Sequence, residues 1–413
     1  MPSFTKQNPY LALRIPEFKH FIIGRFIFTM GIRMTTGVIA WWMYELTNNT
    51  LALGLVGLAE VIPAISLALY AGHYIDRNEK RKLLLTCMTI YLCCMGVLFF
   101  LSTDYTRSVL NHWVIAGIMC TIIAITGAVR AFSGPSMSAM ISQIVPKEIL
   151  PGAVSLSSSG YLISSIIGHA TAGFLIAHLG VHNTFYVVLI FISTSIFFFS
   201  KLKVKPVFEM KESKTWQSVK EGLQYVFKTK ELLGAMSLDM FAVLFGGAAA
   251  LMPVFAKDIL HVGPEGFSWL NAATDIGSIC TVTFLSIWPL QRRQGKILLF
   301  AVGIFGLCMI SFAVSTVFWI SFMMLVLSGC MDGVSVIVRS TILQLKTPDE
   351  LRGRVLSVSS MFINSSNELG QFESGVMARL LGTVPSVIFG GCMTVGVVVT
   401  TWFKAPSLRK MEY

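Results

Sequence analysis

Pro146-Lys-Glu-Ile-Leu-Pro-Gly-Ala-Val-Ser-Leu-Ser-Ser158 returns 202 residues later as Pro348-Asp-Glu-Leu-Arg-Gly-Arg-Val-Leu-Ser-Val-Ser-Ser360. Each copy follows a glutamine near a helix end, Gln143 or Gln344, and each opens a serine-rich apolar stretch. A loop repeated at half the length of a 413-residue chain is what duplication of one helical unit leaves behind. Working outward from both copies, apolar runs of about twenty residues recur along the chain, the length a helix needs to cross ~30 Å of hydrocarbon. Twelve are predicted: 19–46, 50–73, 83–102, 113–143, 152–178, 184–202, 231–256, 265–290, 297–316, 317–345, 355–378 and 383–403. The first copy precedes span 5 and the second precedes span 11. The chain reads as six plus six.

Composition agrees. Charged residues make up 13% of the chain, about half of the roughly 25% typical of soluble domains, and apolar residues reach 54%. Transmembrane strands would show ten-residue alternation, which is absent. The expected fold is therefore an all-α polytopic membrane protein with pseudo-symmetric halves at 1–202 and 231–413. The joining segment 203–230 places Trp216, Val219, Leu223 and Phe227 at three- and four-residue steps, the pattern of an amphipathic helix on the membrane surface. The first apolar stretch is too long for a signal-peptide core, so no cleaved leader is expected. All eight cysteines fall inside spans without metal-ligand spacing, so neither disulfides nor a metal site is expected.

The net charge of +11 lies almost wholly in alternate loops. With the N-terminus inside, the inner segments hold 25 Lys and Arg residues, and the outer loops hold only Arg107, Lys257 and Arg379. That asymmetry orients a multi-pass protein with both termini in the cytoplasm. It also accounts for the basic balance without a nucleic-acid partner. The only environment implied is a lipid bilayer.

Between spans 2 and 3 runs Gly72-His-Tyr-Ile-Asp-Arg-Asn-Glu-Lys-Arg-Lys82. It resembles the signature loop of the major facilitator superfamily, Gly-x-x-x-Asp-Arg-x-Gly-Arg-Arg, through Gly72, Asp76, Arg77, Lys80 and Arg81; Glu79 replaces the second glycine. Pro16–Phe26 resembles the start of span 1 in the enterobactin-exporter-like branch. Leu238–Ala256 and Phe362–Gly375 resemble spans 7 and 11 of the transmembrane secretion effector group. The resemblance implies an inner-membrane secondary transporter, usually an exporter of siderophores or drugs, without a cofactor and acting as a monomer. It also implies a cytoplasmic latch in which Asp76 faces the positive end of a helix in the other half. One position departs from the drug antiporters: their span 5 carries Gly-Pro, where this chain has Gly168-His169.

Ionisable groups at membrane depth cost at least ~2.5–3.5 kcal/mol on insertion scales, so each is a candidate for function. Ten are predicted: Arg25, Arg33, Glu60, Arg130, Asp239, Asp275, Asp332, Arg339, Glu368 and Glu373. Spans 3, 6, 9 and 12, which the superfamily arrangement puts at the periphery, have none. Asn364, Asn367, Glu368 and Gln371 form one polar stripe on span 11. Arg33, Glu60 and Glu368 head the substrate or proton candidates, with His169, Asp239, Asp275 and Asp332 behind them. Arg25, Arg130, Asp239 and Arg339 lie toward the cytoplasm, where gate salt bridges are expected. Trp41, Trp42 and Tyr44 are expected either in the interfacial belt or against an aromatic substrate.

The function these residues support is proton-coupled export of a small amphipathic compound. The alternative is a facilitator or importer of an organic solute. From another class, Ser165 and His169 stand one turn apart and allow an intramembrane hydrolase to be imagined, but serine in a membrane helix commonly bonds its own backbone. No Gly-x-x-x-x-Gly-Lys loop is present, so this chain does not drive transport with ATP.

Overall fold

Gly180 decides how the longest helical run divides. In the computed structural model, which describes residues 9–204, 215–288, 290, 292–348 and 351–412, helix runs from Leu150 to Ser200 but turns at Gly180, whose φ of 78° suits a residue without a Cβ. We call the part before Gly180 α5 and the part after it α6. Preceding them are α1 (Pro16–Thr47), α2 (Thr50–Arg77), α3 (Lys80–Leu101) and α4 (His112–Ile144). After α6 come the linker helix α7 (Thr215–Lys228) and α8 (Lys230–Gly246), which continues through short irregular turns to Ile259. Then follow α9 (Gly263–Ile287), α10 (Gln294–Val314), α11 (Phe318–Lys346), α12 (Arg352–Leu381) and α13 (Thr383–Lys404).

Among the described residues, nine helical segments are long and apolar enough to cross a membrane. Dividing Leu150–Ser200 at Gly180 adds one, and Gly263–Ile287 and Arg352–Leu381 complete twelve. Helices are the form hydrocarbon permits, because every backbone group must find its partner within the segment. Caps mark the ends: Asn111 accepts from the Trp113 amide at 3.0 Å, starting α4. The three-residue connection between α10 and α11 turns on Ser315, whose Oγ accepts from the Val317 amide at 3.2 Å.

The helices group into two compact units. The first comprises Met1–Ile39 and Ile62–Lys211, the second Ala40–Val61 and Glu212–Tyr413. In the first, α1 lies close along α6, with the Ser195 hydroxyl donating to the Gly24 carbonyl at 2.8 Å. In the second, α9 and α11 approach until their backbones touch. A Cβ on Gly277 would stand 2.0 Å from the Val326 carbonyl oxygen, and one on Gly329 2.1 Å from that of Thr274. Ser278 and Thr281 add hydrogen bonds to the Gly329 and Cys330 carbonyls at 3.1 and 3.0 Å. Small residues allow such an approach, and packing and hydrogen bonds rather than hydrophobicity hold it in lipid. This contact fixes the relative depth of Asp275 on α9 and Asp332 on α11.

Linker helix α7 belongs to the second unit. Tyr225 donates to the Lys346 carbonyl at 2.6 Å, Arg354 pairs with Glu221, and Val226 is fully buried. Leu223 and Phe227 stay exposed on the other face, while the side chains of Trp216 and Val219 lie outside the described residues.

Candidate functional site

Polar groups at membrane depth collect in a different way in each unit. In the second, α8 contributes Asp239, one turn before Ala242, and α11 contributes Asp332, Ser335 and Arg339. Asp239 and Arg339 form an ion pair with both residues about 5% exposed. Asp239, Asp332 and Ser335 share the wall of a narrow cavity with Val302 and Phe305 of α10, leaving room for about one water molecule. The Ser335 hydroxyl is buried and has no hydrogen-bond partner among the described residues. Asp275 is near enough to Asp332 for the two carboxylates to interact electrostatically. Asp239 thus has an arginine partner, whereas Asp332 has another carboxylate, Asp275, as its neighbour.

The first unit has the opposite balance. Arg25 and Arg33 project from α1 toward Tyr161 of α5. Arg25 donates to the Ser157 hydroxyl at 2.5 Å and its guanidinium carbon lies 5.9 Å from the Tyr161 ring centre. Arg33 donates to the Tyr161 hydroxyl at 2.6 Å, with its guanidinium carbon 5.6 Å from the same centre. Sequence reasoning singled out neither Tyr161 nor Ser157. The available signal was that Tyr161 is the only aromatic residue in the serine-rich stretch 150–173.

A third polar group sits where residues 40–61 pack within the second unit. Gly57 stands against the Glu368 carbonyl oxygen and the Gln371 side chain of α12, and Gly54 against Gly375. Glu368 is buried and accepts from the Gln371 amide at 2.8 Å; Glu60 lies one turn beyond Gly57 on α2. Asn364 and Asn367 are exposed on the same helix, Asn367 bonding its own Ile363 carbonyl at 2.9 Å. Nearby, Tyr44 donates to Asp258 and Lys257 donates to Asn48 at 3.2 Å. Neither expectation for the aromatic trio holds. Trp41, Trp42 and Tyr44 are 8%, 0% and 6% exposed, with Trp41 against Phe267, so they pack the second unit instead of facing lipid headgroups or a substrate.

Arg339 pairs inside the second unit with Asp239, because α8 and α11 are neighbours there. Arg25 has hydroxyl and ring partners in place of the expected salt bridge. Arg81 donates to the Ser200 carbonyl at 2.6 Å, capping the end of α6. Arg77 and Arg130 are exposed, Lys80 is half-buried, and Gly72 has open space around it. The Asp76 side chain lies outside the described residues. His169, half-buried, follows Gly168, which packs on Met30 and Arg33.

The family model described as transmembrane secretion effector matches residues 7–413. Among relatives, a multidrug efflux pump, Tap, of Mycolicibacterium fortuitum is 20% identical over 364 residues, covering 85% of this chain and 87% of the pump. The staphyloferrin A transporter of Staphylococcus aureus is 20% identical over 399 residues, covering 95% and 98%. Among solved structures, a mutant form of the nucleoside transporter NupG superposes with a TM-score of 0.74 at 15% identity, covering 94% of this chain and 100% of that one. The inward-open xylose transporter XylE from E. coli gives 0.71 at 13%, covering 97% and 98%. These proteins are transporters, not enzymes, which removes the Ser165–His169 hydrolase reading. With twelve long helices and a family match along nearly its whole length, the chain belongs to the transmembrane secretion effector family of major facilitator transporters.

Proposed function

We propose that this transporter exports a small amphipathic compound, siderophore or drug-like, across the bacterial inner membrane in exchange for protons. It works as a monomer with both termini in the cytoplasm, and its six-helix halves, 1–202 and 231–413, rock about a central path. The observation that carries the reading is the carboxylate cluster of the second unit, where half-buried Asp332 and buried Ser335 share one small cavity with Asp239, the partner of Arg339. An ionised carboxylate there is costly unless paired or hydrated. Arg339 neutralises Asp239, and Asp332, which lies beside Asp275 without an arginine in the same cavity, is the group that takes up the proton. Release to the other side restores the charge. A group that gains and loses a proton as its access changes is what coupling requires. Glu60 and Glu368 are a second candidate pair, on helices of opposite halves. Asp76 supplies the cytoplasmic latch, and Asp76→Asn is expected to slow cycling without lowering expression.

Family membership with an efflux pump and a siderophore transporter among the relatives supports export and the substrate class. Transport into everted membrane vesicles, read with a panel of siderophores and cationic dyes, tests it. Accumulation driven by an acidic interior and abolished by Asp332→Asn is the expected result. Uptake that equilibrates and ignores the gradient would establish the facilitator reading instead.

A further inference from the structure

Arg25 and Arg33 have no carboxylate partner among the described residues. Their contacts are the Ser157 hydroxyl, the Tyr161 hydroxyl and the Tyr161 ring. A guanidinium carries five N–H donors, and each of these two uses one in the hydrogen bonds named. Neutral hydroxyls and a ring face compensate only part of what a cation loses on leaving water. Among the described residues, the pair is a positive site without its counter-charge.

The space beside it is open. Arg25, Ser157 and Tyr161 line a cleft of about 590 Å³, counting its mouth, whose other walls include Ile22, Phe26 and Leu156. Nothing stands within 4 Å of where a Cβ on Gly160 would be, so the helix surface next to Tyr161 is unfilled. Tyr161 is 37% exposed, which leaves ring area available to a ligand. Its hydroxyl accepts from Arg33, and its own proton remains free to donate to an anion. Eight residues separate the arginines along α1, about 12 Å of helix rise, so they can engage two separate anionic groups. Arginine forks bind carboxylate or phosphate oxygens two at a time.

We propose that Arg25, Arg33 and Tyr161 form a binding site for a multivalent anion, with carboxylate or phosphate groups carried on an apolar or aromatic body. This deepens the transport reading above: it assigns the anionic end of the substrate to the first unit. The same chemistry is offered by an anionic lipid headgroup, and the experiment separates the two sources.

The probe is trimesate, a rigid aromatic tricarboxylate, titrated calorimetrically into protein in nanodiscs of pure phosphatidylcholine. Binding is expected, weakened at least tenfold in Arg33→Gln and in Arg25→Gln, and blocked in Gly160→Leu, which fills the cleft and leaves both arginines in the sequence. The neutral trimethyl ester is expected not to compete. Discs containing phosphatidylglycerol distinguish the sources. Unchanged affinity assigns the site to a soluble anion, and loss of trimesate affinity assigns it to the headgroup; both support an anion site. Undetectable binding in phosphatidylcholine discs, equal binding in the glutamine variants, or competition by the ester would overturn it. The titration needs no gradient and no turnover, so it can succeed where proton coupling fails, or the reverse.

Discussion

The two units solve the problem of charge in a membrane in opposite ways. In the second, Arg339 is buried against Asp239, and carboxylates outnumber arginines around a cavity the size of a water molecule. In the first, Arg25 and Arg33 share one tyrosine beside a much larger cleft, with no acid as partner among the described residues. The repeated loop shows that both halves derive from one pattern. Ser157 aligns with Ser359 at the same offset, yet Tyr161 aligns with Ile363. What diverged was the chemistry on the shared frame. A closed acid–base pair in a tight cavity suits a small, exchangeable cation such as a proton. An open, uncompensated pair of cations suits a larger anion that arrives and leaves.

That contrast has consequences for stability, and the largest is at the ion pair. Asp239→Ala leaves Arg339 buried without its partner and is expected to cost about 3–5 kcal/mol, the usual result of breaking a buried pair. Replacing both partners by apolar residues, Asp239→Leu with Arg339→Met, is expected to recover most of the loss. Thermal unfolding in detergent, followed by tryptophan fluorescence, reads both; equal losses in the single and double variants would contradict the pairing.

Arg33→Gln in the first unit is expected to cost far less, on the order of 0.5–2 kcal/mol, since a cation–π contact and one hydrogen bond are removed. Losses matching those at Asp239 would mean that Arg33 serves the fold and not a ligand. The smallest effect is expected at Ser335. Its hydroxyl has no partner to lose among the described residues, so Ser335→Ala should shift unfolding by less than about 0.5 kcal/mol. Gradient-driven transport is nevertheless expected to fall, because the hydroxyl faces the cavity shared with Asp332. Wild-type transport in Ser335→Ala would remove it from the proton path.

Sequence alone conveyed the membrane fold well. Span length is a local property, and even the hairpin at Ser315 and the division near Gly180 leave their mark in small polar residues and glycine. The ten ionisable groups were equally legible, because a charge in an apolar run needs no partner to be noticed. Their company was not. That Arg339 pairs with Asp239, and not with another cytoplasmic-side charge, depends on α8 and α11 being neighbours, which is a matter of helix order in space. Tyr161 lies 128 residues from Arg33, and no periodicity links them. Trp42 has the composition of a belt residue, and only packing against the second unit shows it as core.

The most direct test of this division of labour is one preparation measured twice. Asp332→Asn protein is to be assayed for trimesate binding in nanodiscs and for pH-gradient-driven transport in vesicles. Trimesate binding within twofold of wild type, together with loss of gradient-driven accumulation, is the expected result. Loss of trimesate binding in that variant, or transport that continues to follow the gradient, would contradict the assignment of anion to the first unit and proton to the second.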